Sequence, residues 1–209
     1  MDRLPEQTIA RLPVYLRCLT QARSIGMRLV NSLGIAQMAG TNAAQVRKDL
    51  SYLGELGTRG VGYDVGALAD HISEVLGLET PRRVAIVGFG RRGHALVVYP
   101  GFAEHGFQFV AAFDIDPKRA RELPDGVTID IRPIRNMEAD LVRLGVEIVL
   151  LTTPAQVAQE MASRVAAGGV RAILNFAPVV LDVPDGVKVR PVDLASELQV
   201  LSFHLARMS

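Results

Sequence analysis

The sequence has one cysteine, four histidines and no long apolar run, and each scarcity excludes a class of protein. Cys18 is alone and cannot form a disulfide within the chain, which is typical of a reducing compartment. We expect it to be a buried thiol in a helix. No segment approaches the roughly 20 apolar residues that a membrane-spanning helix needs. Because the first residues also lack the layout of a signal peptide, we expect a cytoplasmic protein.

The four histidines argue against an enzyme. His71, His94, His105 and His204 are scattered, and none forms a recognisable pair with an acid after a core strand. A nicotinamide-dependent oxidoreductase needs a substrate pocket and a general acid or base, usually His, Lys or Tyr. We therefore expect no catalytic residue and no metal site. An oxidoreductase remains one alternative, and a CoA- or other nucleotide-binding module without DNA binding is another.

The charge is distributed unevenly along the chain, although the net charge is only +1. Residues 1–63 hold eight Lys and Arg against four Asp and Glu, whereas residues 64–209 hold fifteen against eighteen. A small basic module joined to a mildly acidic one suggests that the first module binds a polyanion.

The N-terminal third predicts three short helices and a hairpin, which together make a winged helix-turn-helix. Asn42 followed by Gln45 resembles a capping box at the start of the third helix. The closely spaced glycines after it exclude a helix and favour a tight β-hairpin. A linker helix is expected over residues 65–76. The predicted helices and hairpin occupy residues 8–21, 31–40, 42–53 and 57–63.

The third helix carries the candidate DNA-binding face. Val46, Leu50 and Leu53 recur at helical spacing and should face the core. Arg59, on the glycine hairpin, is placed like a wing residue that reaches a phosphate or the minor groove. A solvated polar helix face is the alternative. The outer side of the helix presents side chains of the types that contact bases and phosphates, namely Gln45, Arg47, Lys48, Ser51 and Tyr52.

The rest of the chain predicts a parallel, doubly wound α/β sheet. Continuous apolar runs alternate with helical stretches, notably one at residues 155–167, as expected for strands buried on both faces. The chain would then comprise a winged-helix domain at 1–79, a Rossmann domain at 80–192 and a C-terminal helix at 193–209. The predicted strands lie at residues 84–87, 109–113, 148–151 and 172–174.

A Gly-x-Gly-x-x-Gly motif directly follows the first of these strands. Gly88 should permit the tight turn, Gly90 the approach of a pyrophosphate, and Gly93 close packing of the helix on the strand. Asp114 ends the next strand, where its carboxylate can accept hydrogen bonds from the adenosine ribose. It would repel a 2′-phosphate, so NAD(H) is favoured over NADP(H). A glycine loop with an ordinary strand-end acid is the alternative.

The basic residues Arg91, Arg92 and His94 in this loop are unusual. They could strengthen phosphate binding, or they could be solvated residues of the first helical turn.

The chain resembles the Rex family of redox-sensing transcriptional repressors over nearly its whole length. The stretch AQVRKDLSYLGELGTRGVGY at residues 44–63 is similar to the family signature. Four further segments match in order: YPGF at 99–102, FDIDP at 113–117, LNFAP at 174–178 and VDL at 192–194. Where the family usually has leucine in the glycine loop, this chain has Arg92.

The resemblance implies a homodimer that binds a palindromic DNA operator when NADH is low and releases it when NADH binds. It implies that Arg17 and Tyr99 exchange as partners of Asp193 between the two states. Leu194 would lie near the nicotinamide of the partner subunit. The candidate NADH/NAD⁺-binding residues are Gly88, Phe89, Gly90, Arg91, Arg92, Gly93, Tyr99, Asp114, Thr153, Pro154, Asn175, Ala177 and Pro178.

The C-terminal helix has its own argument for a dimer. Leu194, Leu198, Leu201 and Leu205 recur at helical spacing, so the stripe they form must be buried against something. The resemblance implies that this helix is exchanged between subunits. Packing on the chain's own Rossmann sheet is the alternative.

Overall fold

The structure is a computed structural model that describes residues 4–54, 56–58, 60–119, 123 and 127–208. The chain forms two compact units, Met1–Thr80 and Pro81–Ser209. Where the structure describes the chain, no helix is at once long enough and apolar enough to cross a bilayer.

Over its described residues, the first unit forms four helices and a two-stranded antiparallel sheet. Helices α2 and α3 begin at Asn31 and Asn42, whose side chains accept hydrogen bonds from the backbone N–H groups of Gly34 and Gln45. The elements are α1 (Glu6–Ser24), β1 (Leu29–Val30), α2 (Ser32–Ala39), α3 (Ala43–Ser51), β2 (Tyr63–Asp64) and α4 (Val65–Val75).

The predicted capping box is only half present. Asn42 caps α3, but the Gln45 side chain donates from Nε2 to Asp49 Oδ1 at 3.0 Å. It therefore points along the helix instead of back to the backbone of Asn42. A buried carboxylate one turn further on is a stronger acceptor for an amide N–H than neutral groups are.

The predicted linker helix is part of the N-terminal core. Val65, Leu68, Ala69 and Ile72 on α4 are buried in one cluster with α1 residues such as Leu12. Asp64 caps this helix by accepting from the backbone N–H of Ala67. The apolar face of α4 thus completes the helical core.

The predicted hairpin is present as a small wing. Thr58 and Gly62 form an antiparallel bridge, with Thr58 N donating to Gly62 O at 2.9 Å. Gly62 has a φ of +108° and lies against β1, where an added Cβ would be 2.5 Å from Val30 O. Strand β1, which the sequence analysis does not predict, pairs with β2 beside it.

The second unit is a six-stranded parallel sheet in the order β5-β4-β3-β6-β7-β8. This is the strand order of a dinucleotide-binding Rossmann fold, with the order reversing between β3 and β6. The elements are β3 (Arg82–Val87), α5 (Arg91–Val97), α6 (Gly101–Glu104), β4 (Phe107–Asp114), β5 (Ile131–Pro133), α7 (Met137–Arg143), β6 (Ile148–Leu151), α8 (Ala155–Ala167), β7 (Ala172–Asn175), β8 (Lys188–Pro191) and α9 (Leu194–Leu205).

The sheet is covered on both faces, which explains the continuous apolar runs. Ala85 and Val87 on β3 face a cluster that includes Met161 of α8, whereas Val84 and Ile86 face the side on which Val97 of α5 packs. The predicted parallel α/β sheet is therefore confirmed. The two edge strands, β5 and β8, are additions to the prediction.

Helix α9 exposes its apolar stripe to solvent. All twelve of its residues are exposed, and its leucines Leu194, Leu198, Leu201 and Leu205 expose between 57% and 73% of their surface. Packing of this stripe on the chain's own sheet, the alternative left open by the sequence, is not what the structure shows.

Candidate functional site

Helix α3 is anchored by a buried carboxylate. Asp49 is fully buried and accepts five hydrogen bonds: two from Arg11 at 2.6 and 2.7 Å, and one each from Thr8, Tyr15 and Gln45 at 2.8–3.0 Å. Three of these partners lie on α1. The charge is therefore paired and fully hydrogen-bonded, the condition under which a buried carboxylate is tolerated.

The pKa values in this cluster follow from its geometry. Burial alone would raise the pKa of Asp49, but the hydrogen bonds from Arg11, Tyr15, Thr8 and Gln45 outweigh it and lower the pKa to about 2. Burial and the hydrogen bond to Asp49 raise the pKa of Tyr15 to about 12. At neutral pH Asp49 therefore stays ionised and Tyr15 stays neutral, and their hydrogen bonds fix α3 against α1.

The opposite face of α3 is exposed. Arg47, Lys48, Ser51 and Tyr52 all point away from the core, and the Ser51 hydroxyl donates to Lys48 O at 2.7 Å. Gln45 is half-buried because its amide is engaged with Asp49. Four of the predicted DNA-contacting residues thus share one solvent-facing surface, while Arg59 lies outside the described residues.

A cleft of about 720 Å³ separates α3 from the wing. Arg47 and Ser51 line one side of it, and Thr58, Gly60 and Val61 line the other. The cationic side of the cleft belongs to α3, so a polyanion that docks on this helix would also meet the wing.

The glycine loop after β3 has the geometry that each of its glycines predicts. Gly88 has a φ of +92°, and an added Cβ would be 3.1 Å from Thr153 N. At Gly93 an added Cβ would be 2.5 Å from Gly88 O, so only glycine lets α5 pack this close to the loop. At Gly90 the space within 4 Å of an added Cβ is open. The backbone there can be approached by a phosphate.

Asp114 holds the glycine loop in place from the end of β4. Its Oδ2 accepts from Phe89 N at 2.7 Å and its Oδ1 accepts from Asp116 N at 3.0 Å. Each carboxylate oxygen has a second lone pair left to accept a hydroxyl hydrogen bond. The group can therefore organise the loop and contact a ribose at the same time.

The end of β6 meets the same loop. The Thr152 hydroxyl donates to Gly88 O at 2.5 Å. Thr153 is 6% exposed, and its Oγ1 is buried without a hydrogen-bond partner in the part of the chain that the structure describes. Pro154, exposed, leads into α8. A buried hydroxyl without a partner beside an open glycine cradle fits a polar ligand group at this edge of the sheet.

Asn175 shapes the loop after β7 from within. It is 1% exposed, its Nδ2 donates to Val179 O at 2.9 Å, and its Oδ1 accepts from Ala177 N at 2.9 Å. Ala177 is buried as well, whereas Pro178 is exposed. The side chain of Asn175 therefore positions the loop backbone instead of facing solvent.

Four further predicted residues lie in or next to α5. Phe89 is 7% exposed because its ring packs in the core, so its backbone is what it offers to a ligand. Arg91 and Arg92 are exposed, and Arg92 Nη1 donates to Phe176 O at 2.7 Å. Tyr99 is 58% exposed and packs edge-to-face on Phe102 at 5.4 Å.

The predicted switch residues Arg17 and Asp193 lie in different units. Arg17 is exposed on α1. Asp193 caps α9, and the hydrogen bonds from the Ser196 hydroxyl and from the backbone of Ser196 and Ala195 lower its pKa. The carboxylate is thus held ionised at the start of the exposed apolar helix.

Two of the histidines are held by contacts within their own units. His71 Nε2 lies 3.2 Å from Leu53 O and its Nδ1 lies 3.5 Å from Glu74 Oε2, and His105 Nδ1 lies 2.6 Å from Gly101 O. Over the described part of the chain there is no group of three His, Cys, Asp or Glu residues that could hold a metal ion.

Sequence reasoning missed Asp49 and Thr152. Asp49 lies three residues after Val46 and next to Leu50, on the buried stripe of its helix. A carboxylate at such a position is a recognisable pattern, because it must be paired inside the fold. Thr152 follows an apolar strand at the carboxyl edge of the sheet, where ligand-contacting residues collect.

Two protein families match the sequence. Residues 3–51 match the family described as "Putative DNA-binding protein N-terminus", and residues 79–179 match the one described as "CoA binding domain".

The chain is similar to bacterial proteins named redox-sensing transcriptional repressor Rex. It is 49% identical to that of Streptomyces avermitilis, covering 98% of this chain and 80% of the relative. It is 46% identical to that of Carboxydothermus hydrogenoformans, covering 98% of both chains.

Solved structures agree with these relatives. The fold matches a crystal structure of RSP in complex with β-NAD⁺ and operator DNA, with a TM-score of 0.90 and 30% identity over all of this chain and 95% of that one. It also matches RSP in complex with β-NADH, with a TM-score of 0.85 and 29% identity over all of this chain and 97% of that one.

Proposed function

The chain belongs to the Rex family of redox-sensing transcriptional repressors, and we propose that it binds a palindromic operator when NADH is scarce and releases it when NADH binds. The observation that supports this proposal is that one chain has both a surface suited to DNA and a site suited to a dinucleotide. An anchored helix exposes Arg47 and Lys48, and an open glycine cradle lies beside Asp114.

DNA binding is assigned to α3 and the wing. Asp49 fixes α3 on α1, so Arg47, Lys48, Ser51 and Tyr52 are presented on a rigid helix face that fits the major groove. The positive charges of Arg47 and Lys48 attract the DNA phosphates, and the hydroxyls of Ser51 and Tyr52 can form hydrogen bonds with the DNA.

NADH binding is assigned to the carboxyl edge of β3, β4, β6 and β7. NADH and NAD⁺ differ in the charge of the nicotinamide ring, and this difference is the redox signal. Gly90 leaves room for the pyrophosphate, and Asp114 is placed to accept from the adenosine ribose. The Thr153 hydroxyl, which has no hydrogen-bond partner among the described residues, and the loop shaped by Asn175 would face the other half of the dinucleotide.

We favour NAD(H) over CoA for this site, although one matching family is described by CoA binding. The adenosine of CoA carries a 3′-phosphate on its ribose, and the Asp114 carboxylate at the end of β4 would repel it. Competition between NADH and CoA for the full-length protein tests this choice, and CoA that displaces NADH at equal concentration would reverse it.

A homodimer is part of the proposal. The stripe of Leu194, Leu198, Leu201 and Leu205 exposes an apolar surface that soluble monomers rarely leave open. An exchanged α9 would bury it on a second copy. Sedimentation of the Leu198→Asp variant should show a monomer, whereas a dimer of unchanged stability would place the interface elsewhere.

The proposed switch couples the two units through Asp193. Its carboxylate would pair with Arg17 in the DNA-binding state and with Tyr99 in the NADH-bound state, which biases a two-state equilibrium by contacts made in only one state. Asp193→Asn should keep NADH binding but lose the NADH effect on DNA affinity. Normal release of DNA by this variant would exclude Asp193 from the switch.

We propose a sensor without turnover, because the relatives of the chain are named as transcriptional repressors and not as enzymes. Steady oxidation of NADH by a keto acid or an aldehyde would contradict this.

The direct test of repression is whether the purified protein protects promoter DNA from its own organism. Lys48→Ala should weaken this protection. Lys188 is exposed on β8, and Lys188→Ala should leave the protection unchanged.

A further inference from the structure

Arg92 joins two loops on opposite sides of β6. It is the second residue of α5, and its Nη1 donates to Phe176 O at 2.7 Å in the loop after β7. Because β6 lies between β3 and β7 in the sheet, the guanidinium must pass over the carboxyl end of β6 to make this contact.

This is the half of the sheet that binds the nicotinamide end of a dinucleotide. In a sheet of this strand order the pyrophosphate lies over the glycine loop, and the two nucleoside halves lie on either side of it. Asp114 on β4 marks the adenosine side. The nicotinamide side is therefore that of β6 and β7, where Arg92 is held by Phe176 O.

We propose that Arg92 is a specificity-determining residue that favours NADH over NAD⁺ by holding a permanent positive charge beside the nicotinamide ring. The ring of NAD⁺ is a cation and that of NADH is neutral, while the rest of the two molecules is identical. A guanidinium stays protonated at any physiological pH, so the repulsion acts on NAD⁺ alone.

Among the described residues, the side chains at the ends of β6 and β7 bring no negative charge to oppose that of Arg92. The side chains at the ends of β6 and β7, Thr152, Thr153 and Asn175, are neutral. The carboxylate of Asp114 lies on the adenosine side of the loop. Since Arg92 is exposed, solvent screens its field, and the repulsion between the two charges then changes a binding constant by about threefold to tenfold.

The inference rests on the proposed NADH site, and its test is the ratio of two dissociation constants. NADH binding to the full-length protein is measured by its fluorescence, and NAD⁺ binding by competition, for the wild type, Arg92→Leu, Arg92→Lys and Arg91→Leu. We expect the ratio Kd(NAD⁺)/Kd(NADH) to fall about threefold to tenfold in R92L and to be largely kept in R92K. R91L, which removes a neighbouring charge, should weaken both nucleotides alike and keep the ratio.

Salt supplies an independent check, because screening weakens a charge effect and spares a packing effect. The wild-type ratio should fall as KCl rises, and that of R92L should not. An unchanged ratio in R92L, or equal loss of both affinities, would overturn the inference while leaving NADH sensing intact. A wild type that binds neither nucleotide would overturn the proposed function, and the inference with it.

Discussion

Replacing Asp49 by asparagine should destabilise the N-terminal unit by about 3 kcal/mol. The pKa of this carboxyl is lowered from 3.8 to about 2, which corresponds to about 2 kcal/mol of stabilisation at neutral pH. Asparagine also turns an NH₂ group toward the donors of Arg11 or Tyr15, which adds the cost of a buried unsatisfied group. Arg11 is 30% exposed and regains some hydration, so the total stays below the cost of an entirely buried pair.

Urea denaturation followed by tyrosine fluorescence measures this effect in the intact chain. The sequence has no tryptophan, and Tyr15, Tyr52 and Tyr63, three of its four tyrosines, lie in the N-terminal unit. Asp70→Asn is the matched control, because Asp70 pairs with Arg23 on the surface and exposes 75% of its side chain. We expect the control to cost less than about 1 kcal/mol.

The dependence on pH follows from the direction of the shift. A carboxyl whose pKa is lower in the folded state stabilises fully above the unfolded value of 3.8, and this stabilisation disappears as pH falls toward about 2. The difference between wild type and Asp49→Asn should therefore be constant from pH 7 to about 5 and shrink below about 4. Equal stability of Asp49→Asn and Asp70→Asn at pH 7 would refute the role given to Asp49.

Four further substitutions test the two surfaces. Gly90→Ala should leave thermal stability unchanged but weaken NADH binding more than tenfold. Gly93→Ala should lower both the thermal stability and the affinity for NADH, because its Cβ would meet Gly88 O. Equal melting temperatures of the two variants in thermal shift assays would contradict this. Asp114→Asn should weaken NADH binding about tenfold and reduce the preference over NADPH; unchanged calorimetric affinity would show that the ribose is held elsewhere. Lys48→Ala should weaken DNA binding and reduce its salt slope by about one; an unchanged slope would remove this residue from the phosphate contacts.

The glycine loop could be predicted from the sequence because its constraints are local. Gly88 is required by the positive φ of the turn and Gly93 by its close approach to Gly88 O, both within one strand–loop–helix segment, and such constraints leave a pattern of fixed spacing. The anchor of α3 could not be predicted, because the partners of Asp49 are distant in sequence. Tyr15 is 34 residues away along the chain, and Thr8 is 41 residues away. Sequence spacing does not encode which distant side chain will meet a buried carboxylate.

The edge strands show the same limit. β5 (Ile131–Pro133) and β8 (Lys188–Pro191) are short, half-exposed and end in proline, so they lack the continuous apolar run by which the central strands are recognised.

The packing of α4 could not be predicted for a different reason. Its buried stripe is evident from the sequence, but whether such a stripe meets the preceding helices or another body depends on the tertiary fold.

The most direct test of the account is operator binding by the full-length protein, measured by fluorescence anisotropy on a palindromic sequence from its own promoters and titrated with NADH and, separately, with NAD⁺. The account predicts that NADH releases the DNA while NAD⁺ at the same concentration does not. A DNA affinity that is unchanged by both nucleotides, or changed equally by both, would contradict the central claim that this chain couples the redox state of the nicotinamide to its affinity for DNA.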